Sequence, residues 1–263
     1  MSTVLALWGA GPLGIGLPHD ASKDGWRIDE MINVTSIFVG IIFAIMIVWM
    51  LWAIIGHGPR HTASHDHGDR PHSWLWTLAV AGLIFVVVDG DLLVRTFQSL
   101  NRIYWNFDWA ERQPDAVRIE INAHQWAWSV RYAGPDGVFN TADDVVTLND
   151  VVLPRDAPAL FQVASTDVLH SFNVPNMRMK VDAVPGTVNR MWFTPAENGD
   201  FEIGCAQHCG PNHYKMRGMV HVVDPAFYEQ WLAAASANAV RGFDAKDEAA
   251  HWGWDWSERT RMK

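Results

Sequence analysis

The residues with the clearest chemical potential lie in one short stretch, from Cys205 to Met216. It holds both cysteines of the chain, the imidazoles of His208 and His213, and the thioether of Met216. Thiolates, imidazoles and thioethers are soft or borderline ligands that suit copper far better than calcium or magnesium. The stretch therefore predicts a transition-metal site, with copper favoured.

Two other interpretations of the cysteine pair remain open on the residues alone. An even cysteine count fits a disulfide in an oxidising compartment, and three intervening residues could permit that bridge. A structural zinc site is the second alternative, because Cys-x3-Cys followed by histidine is close to zinc-knuckle chemistry. A disulfide leaves the histidine and methionine unexplained, and zinc has little use for a thioether. Copper remains the favoured interpretation.

A further histidine lies upstream of this stretch. Residues 165–175 alternate polar and apolar side chains before a proline, which predicts the end of a strand with His170 at its tip. A lone histidine in such a place is more often an ordinary hydrogen-bonded residue. With the thiol-containing loop downstream, we interpret His170 as a metal ligand.

The two motifs together resemble the dinuclear copper A site of cytochrome c oxidase subunit II. His170 lies in an Asp-Val-x-His-Ser-Phe context, and Cys-x3-Cys-Gly-x2-His-x2-Met follows it. The similarity runs from about residue 33 to 225. It implies two copper ions bridged by the thiolates of Cys205 and Cys209, with His170 and His213 each binding one ion, and Met216 and the backbone carbonyl of Gln207 as weak outer ligands.

The resemblance also implies a function and a set of partners. The chain would accept electrons one at a time from cytochrome c and pass them to haem in the catalytic subunit I, where oxygen is reduced. Trp126 matches the position at which an indole receives the electron. The other oxidase subunits and the lipid bilayer would be its remaining partners. We expect a two-pass protein of the bacterial plasma membrane, with its copper domain on the periplasmic face.

Gln207 departs from the pattern of that family. Most relatives have glutamate between the cysteines, with its carboxylate on a magnesium ion at the boundary with the catalytic subunit. A neutral amide is a weaker ligand for a hard dication than a carboxylate. We therefore expect no magnesium there, or magnesium held mainly by catalytic-subunit groups and water.

The 263 residues suit one or two domains, and 49% hydrophobic residues leave ample material for a core. The net charge of -9 argues against nucleic acid as a partner.

Two segments are long and apolar enough to cross a bilayer. Residues 33–55 contain no charged side chain, and residues 73–94 are rich in leucine, valine and tryptophan. They predict an antiparallel hairpin over 33–100, preceded by a surface arm at 1–32 that packs on a partner or on the outer domain. The connection from His57 to His72 carries five histidines. It could bind metal, but a solvated loop is the interpretation that residue type favours.

The rest of the chain predicts an all-β domain followed by a helix. After a linker at 101–116, period-two patterning over 117–224 indicates a sandwich or barrel. The strands are expected at 117–122, 126–132, 159–164, 187–193, 201–205 and 219–223. The resemblance adds a cupredoxin-like Greek key, so the expected fold class is an α+β membrane protein with a two-helix transmembrane hairpin.

Residues 225–263 are expected to form a C-terminal helix and tail. Asp224 as N-cap and Pro225 at the first position predict a helix to Ala237. Three tryptophans in the charged tail predict docking on another subunit.

Two further patterns lie within the β domain. Trp126 and Trp128 are expected on one face of a strand, with Trp128 in the core. A loop after this strand is rich in acids, and its hard oxygen atoms could ring a calcium ion, although it lacks EF-hand spacing. The four residues concerned are Asp136, Asn140, Asp143 and Asp144.

Overall fold

The computed structural model describes residues 16–58, 61, 62, 65, 67, 68, 71–243 and 246. The tail tryptophans Trp252, Trp254 and Trp256, whose docking was predicted, lie outside the described residues, as do residues 1–15.

Two long apolar helical segments form the first half of the chain. Helix α1 spans Trp26–Gly56 and buries none of its residues within the chain. The second segment runs without a break through α2 (Pro71–Ile84), a π-helical turn (Phe85–Asp89), α3 (Gly90–Ser99) and a second π-helical turn (Leu100–Tyr104). Both are long and apolar enough to span a membrane. Their exposed apolar surfaces suit lipid or partner helices, in agreement with the predicted hairpin.

The helices extend beyond the predicted apolar segments because charged residues at their ends pair with one another. Arg95 Nη1 lies 2.9 Å from Glu30 Oε1, and Arg95 Nε lies 2.8 Å from Asp91 Oδ2. This contact joins α1 to α3. The predicted arm at 1–32 is therefore too long, since α1 begins at Trp26.

The predicted linker at 101–116 is largely helical. Helix α4 covers Phe107–Glu111 and buries Ala110 in a small apolar cluster with Leu160 and Trp192 of the outer domain. The second membrane segment is thus followed by a short helix that packs on the β domain.

Residues 18–25 pack on the outer domain, which is one of the two arrangements expected for the arm. The amide of Ala21 donates to Asn176 O at 2.8 Å, and the amide of Ala196 donates to Ala21 O at 2.8 Å. Arg178 then binds Asp29 of α1 through two contacts of 2.6 and 3.0 Å. These contacts fix the start of the hairpin against the β domain.

The outer domain contains two five-stranded sheets. Their orders are β3-β2-β1-β5-β8 and β4-β10-β9-β6-β7, with the β1/β5 and β4/β10 pairs parallel. The strands are β1 Val117–His124, β2 Ala127–Tyr132, β3 Val145–Leu148, β4 Asp150–Pro154, β5 Ala159–Ser165, β6 His170–Val174, β7 Met179–Ala183, β8 Asn189–Phe193, β9 Gly199–Cys205 and β10 Arg217–Val223. The apolar core includes buried residues from both sheets, among them Trp128 and Phe172. The predicted combination of a membrane hairpin and an all-β domain is confirmed.

Several predicted strand boundaries are wrong. Strands β3, β4 and β7 were not expected, because they are short and carry polar or charged residues at exposed positions such as Lys180 and Asp182. His170 begins β6, and a turn rather than a strand precedes it. Trp126 lies in the turn between β1 and β2, so it does not share a strand face with Trp128.

Helix α5 spans Pro225–Gly242 and is longer than predicted. Asp224 is at the N-cap position, but its side chain makes no capping hydrogen bond. Its Oδ1 instead lies 3.1 Å from Arg155 Nη2. The helix packs on the β domain through Trp231, whose ring lies 5.2 Å from that of Tyr132.

Candidate metal centre

The predicted ligands converge because two neighbouring strands of one sheet end at the same place. Strands β6 and β9 pair antiparallel, with Phe172 opposite Cys205. His170 at the start of β6 therefore lies beside Cys205 at the end of β9. The loop that follows carries Cys209 and turns through a short 3-10 segment, His213–Lys215, before β10 begins.

The donor atoms of all six predicted ligands lie close together. The Sγ atoms of the two cysteines are 3.8 Å apart, and ligand atoms of His170, Cys205 and Cys209 all lie within 4.8 Å of one another. The remaining contacts are His170 Nδ1 to Met216 Sδ at 3.1 Å, Cys209 Sγ to Met216 Sδ at 3.7 Å, Cys209 Sγ to His213 Nδ1 at 3.6 Å and Cys205 Sγ to Gln207 O at 3.2 Å.

This donor set favours one of the three interpretations of the cysteine pair. Both cysteines are free, and their 3.8 Å separation is far beyond the roughly 2.05 Å of a disulfide. A structural zinc site needs only four donors. Here a buried thioether, Met216, faces both His170 and Cys209 in addition to the thiols and imidazoles. Soft sulfur donors in this number fit copper best.

Asp167 sets the orientation of the His170 ring. The His170 Nε2 atom lies 2.8 Å from Asp167 Oδ1, which leaves Nδ1 facing the sulfur atoms. Burial raises the pKa of Asp167, but hydrogen bonds from His170 and from the amides of Val168 and Gln125 lower it below its ordinary value. The carboxylate is thus ionised and holds the imidazole by its second nitrogen, as carboxylates do beside metal-binding histidines.

The two thiols differ in acidity. Burial raises the pKa of Cys205, but hydrogen bonds from His170, Ser171 and Gln207 lower it to about 6. Burial and the neighbouring Cys205 raise the pKa of Cys209 to about 12. Cys205 is therefore the more acidic thiol of the pair. Metal binding at these sulfur atoms would release the remaining thiol protons, since thiolates rather than thiols are metal ligands.

Asp167→Asn is expected to weaken copper retention by about 10–100-fold. The carboxylate accepts from His170 Nε2 through Oδ1 and from the Gln125 amide through Oδ2, the latter at 2.6 Å. An asparagine offers one acceptor oxygen, so one of these donors loses its partner. The measurement is copper content against increasing concentrations of a competing chelator.

Asp200→Asn is the matched control for this substitution. Asp200 pairs with His221 at 2.7 Å on the solvent-exposed part of the same sheet, away from the predicted copper ligands. Equal copper retention in both variants would show that Asp167 does not support His170.

Trp126 lies against the loop that carries the candidate ligands, although the sequence analysis predicted it on a strand. A Cβ atom added to Gly210 would lie 3.3 Å from Trp126 Cζ2 and 3.0 Å from Gln125 Nε2, and the φ angle of Gly210 is +122°. Gln125 Nε2 also donates to the carbonyl of Cys209 at 2.8 Å. The half-buried indole therefore packs directly beside a ligand-bearing segment.

Sequence reasoning gave no role to Asp167, Gln125 or Gly210. Asp167 precedes His170 by three residues, and Gly210 follows Cys209, so both could have been suspected as supports of the neighbouring ligand. Gln125 carried no such local signal, because its partner is distant in the chain.

The acidic loop predicted as a possible calcium site packs against Arg131. Asn140 Oδ1 accepts from the buried guanidinium of Arg131 at 2.6 Å, and Asp144 Oδ2 lies 3.7 Å from Arg131 Nε. Asp143 Oδ1 accepts from the Thr141 hydroxyl at 2.6 Å. In the described part of the chain, Asp136, Asp143 and Asp144 do not form a cluster of converging ligand atoms. A cation here would lie beside the positive charge of Arg131, and calcium at this loop stays a prediction.

Comparisons with known proteins point to one family. Residues 117–223 match the family model for the periplasmic domain of cytochrome c oxidase subunit II. An alternative cytochrome c oxidase subunit 2 of Bradyrhizobium diazoefficiens is 30% identical over 230 residues, which cover 78% of this chain and 79% of that protein. Cytochrome c oxidase subunit 2 of Alkalihalophilus pseudofirmus is 29% identical over 223 residues, covering 81% of this chain and 59% of that protein.

A solved structure is also similar. The crystal structure of the periplasmic domain of cytochrome oxidase subunit II of Bradyrhizobium japonicum is 28% identical. The match covers 46% of this chain and 94% of the solved chain, with a TM-score of 0.42.

Proposed function

The chain belongs to the cytochrome c oxidase subunit II family, and on that premise we propose that it is the electron-entry subunit of a respiratory haem-copper oxidase. The observation that carries the proposal is the convergence of two thiols, two imidazole nitrogens, a thioether and a backbone carbonyl in one site. The chain would accept electrons from cytochrome c. Oxygen reduction would take place on the catalytic subunit.

The ligands fit a dinuclear copper centre. Cys205 and Cys209 would bridge the two ions, His170 and His213 would bind one each, and Met216 and the carbonyl of Gln207 would be weak ligands. Two copper ions sharing thiolate bridges supply a one-electron couple with little change of geometry. The buried His170 and Met216 exclude water from the inner side of the site.

Trp126 is proposed as the point of electron entry. Its indole packs at Gly210, next to Cys209, and is only partly covered by the protein. An aromatic ring that reaches from the surface to the ligand loop would shorten the gap that an electron has to cross between the donor's haem and the thiolate. Gln125 holds this turn to both ligand segments, through Cys209 O and Asp167.

The partners follow from the same proposal. The copper domain would lie on the periplasmic face of a bacterial plasma membrane, above the haem-containing subunit I and beside the other oxidase subunits. The Gln207 side chain is exposed in this chain, which suits a boundary position. We expect magnesium there to be absent or held mainly by groups of the catalytic subunit, because an amide is the weaker ligand.

Copper content and electron paramagnetic resonance of the purified complex test the function. Two copper atoms per chain sharing one unpaired electron would support the oxidase role. One copper atom would indicate a membrane-tethered copper carrier. A chain without copper would indicate a quinol-oxidase type of subunit, and zinc in place of copper would indicate a structural site.

The charge of the outer domain gives a prediction about the donor. From Asp115 to the C-terminus there are 19 acidic and 13 basic residues, a net charge of -6. Long-range attraction of a basic cytochrome c should raise the association rate, and salt should screen it over roughly 8–10 Å at physiological ionic strength. We expect the measured association rate to fall steadily as salt is added. A rate independent of salt would instead indicate a donor held permanently in a larger complex.

A further inference from the structure

A cavity of about 450 Å³ lies where the two membrane segments meet the outer domain. Its volume is within the roughly 300–1,000 Å³ of ligand pockets, and the predicted copper ligands are not among its lining residues. Two indoles, those of Trp26 and Trp109, form part of the wall. Three basic and three acidic side chains also line it: Lys23, Arg27, Arg102, Asp24, Asp115 and Asp156.

The cavity lies at the level expected for lipid headgroups. Arg27 precedes the charge-free run 33–55 by six residues, or roughly 9 Å of helix. Its long side chain can lean along the helix towards the hydrocarbon boundary. Trp26 and Trp109 are 50% and 44% exposed, and exposed indoles at the ends of membrane helices are typical of the zone between hydrocarbon and water.

Two guanidinium groups in the cavity approach one carboxylate without hydrogen-bonding to it. Arg27 Nε lies 3.5 Å and Arg102 Nε 3.7 Å from Asp24 Oδ1. The Nε atom of Arg27 is buried and has no hydrogen-bond partner among the described residues. The Trp26 ring, whose centroid lies 4.5 Å from the Arg27 guanidinium carbon, holds the group in place. A buried donor without a partner is costly, so the arrangement indicates a missing acceptor, and phosphate oxygens suit arginine best.

The acidic side chains restrict the rest of the ligand. Asp156 is already paired with Lys23 at 3.0 Å, whereas Asp115 has no ion-pair partner in the part of the chain that the structure describes. A second negative charge on the ligand would be repelled by these carboxylates. A primary ammonium group could instead donate to Asp115. Because the six charged side chains of the lining sum to zero, they favour a zwitterion over an anion.

We propose that this cavity binds the headgroup of a zwitterionic phospholipid with a primary amine, such as phosphatidylethanolamine, from the leaflet beside the outer domain. The phosphate would bridge Arg27 and Arg102, and the ammonium group would face Asp115. The acyl chains would follow the exposed apolar surface of the membrane helices. One bound lipid would thereby link the ends of both helices to the β domain.

Native mass spectrometry of the full chain, released from nanodiscs made with equal amounts of three lipids, tests this proposal. We expect one phosphatidylethanolamine per chain to be retained in preference to phosphatidylcholine, whose methylated amine donates no hydrogen bond, and to phosphatidylglycerol, which has no amine. Arg27→Gln/Arg102→Gln should reduce its retention by about tenfold or more, because the charged donors to the phosphate are lost. Asp115→Asn should keep a bound lipid but remove the preference for the primary amine.

Arg112→Gln is the matched control. Arg112 follows α4, is not among the residues that line the cavity, and its Nε already donates to Asp108 O at 2.6 Å. It should retain the lipid as the unmodified chain does. Unchanged retention in Arg27→Gln/Arg102→Gln, or an equal loss in Arg112→Gln, would overturn the proposal.

Two further measurements complete the test. Retention of phosphatidylcholine or phosphatidylglycerol as strongly as phosphatidylethanolamine by the unmodified chain would overturn the assignment of the headgroup. The copper spectrum of the same samples should be identical in all variants. A missing copper signal would contradict the proposed electron-transfer function and leave the lipid result unaffected.

Discussion

Replacing Cys205 or Cys209 by serine is expected to remove the shared-electron copper signal almost completely. Each thiolate is proposed to bridge both ions, and a serine hydroxyl is neither soft nor ionised at neutral pH, so it cannot replace either bond. The structure places the two Sγ atoms 3.8 Å apart with the other donors around them, so each substitution removes a central ligand. The measurement is electron paramagnetic resonance of the purified protein, together with its copper content.

Ala206→Ser is the control for this pair of variants. It puts the same hydroxyl group in the same loop, but at an exposed position that contributes no ligand. Its copper signal should match that of the unmodified chain. Membrane insertion should be normal in all three variants, because α1 buries none of its residues within the chain and both segments are apolar enough to span a membrane. An unchanged spectrum in both cysteine variants would contradict the copper assignment.

Trp126→Phe is expected to slow electron transfer from cytochrome c by about tenfold or more, which corresponds to roughly 1.4 kcal/mol or more of barrier. Phenylalanine keeps an aromatic ring, but the ring is smaller, so it loses part of the contact with Gly210 and the larger indole surface. The indole now packs where an added Cβ of Gly210 would lie only 3.3 Å from its Cζ2. The copper spectrum should persist, since Trp126 supplies no ligand. The rate of cytochrome c oxidation is measured by rapid mixing.

Trp105→Phe is the matched control for electron entry. Trp105 is another tryptophan with substantial exposure, but it lies between the second membrane segment and α4, beside Phe97. Its rate of electron transfer should be normal. If Trp126→Phe oxidises cytochrome c as fast as this control, the Trp126 indole only fills space in the turn.

The sequence determined the donor set and the two kinds of structural unit. Sulfur and imidazole ligands within one stretch are a local pattern, so Cys205, Cys209, His213 and Met216 could be recognised without any tertiary information. The apolar segments were equally visible, because a bilayer demands about 20 consecutive apolar residues. Strands rich in apolar residues, such as β1 and β5, were also found, because short apolar runs bounded by turn residues predict strands.

The ends of the helices and several of the strands could not be predicted from local sequence patterns. Helix α1 begins at Trp26 because Asp29 and Glu30 are paired with Arg178 and Arg95, which are far away in the chain. Strand β4 is short and pairs with β10 in parallel, so it carries no hairpin signal. Hydrophobic periodicity contains no information about such distant partners.

The supports of the metal centre were decided by tertiary structure alone. The Gln125 amide meets Asp167, 42 residues away, and its side chain meets the Cys209 carbonyl, 84 residues away. These hydrogen bonds form only when the β1–β2 turn folds over the ends of β6 and β9. The sequence therefore indicated which atoms are candidates to bind copper. The packing of the two sheets decided which residues hold those atoms in place, because the orientation of a ligand depends on neighbours that the chain brings together only by folding.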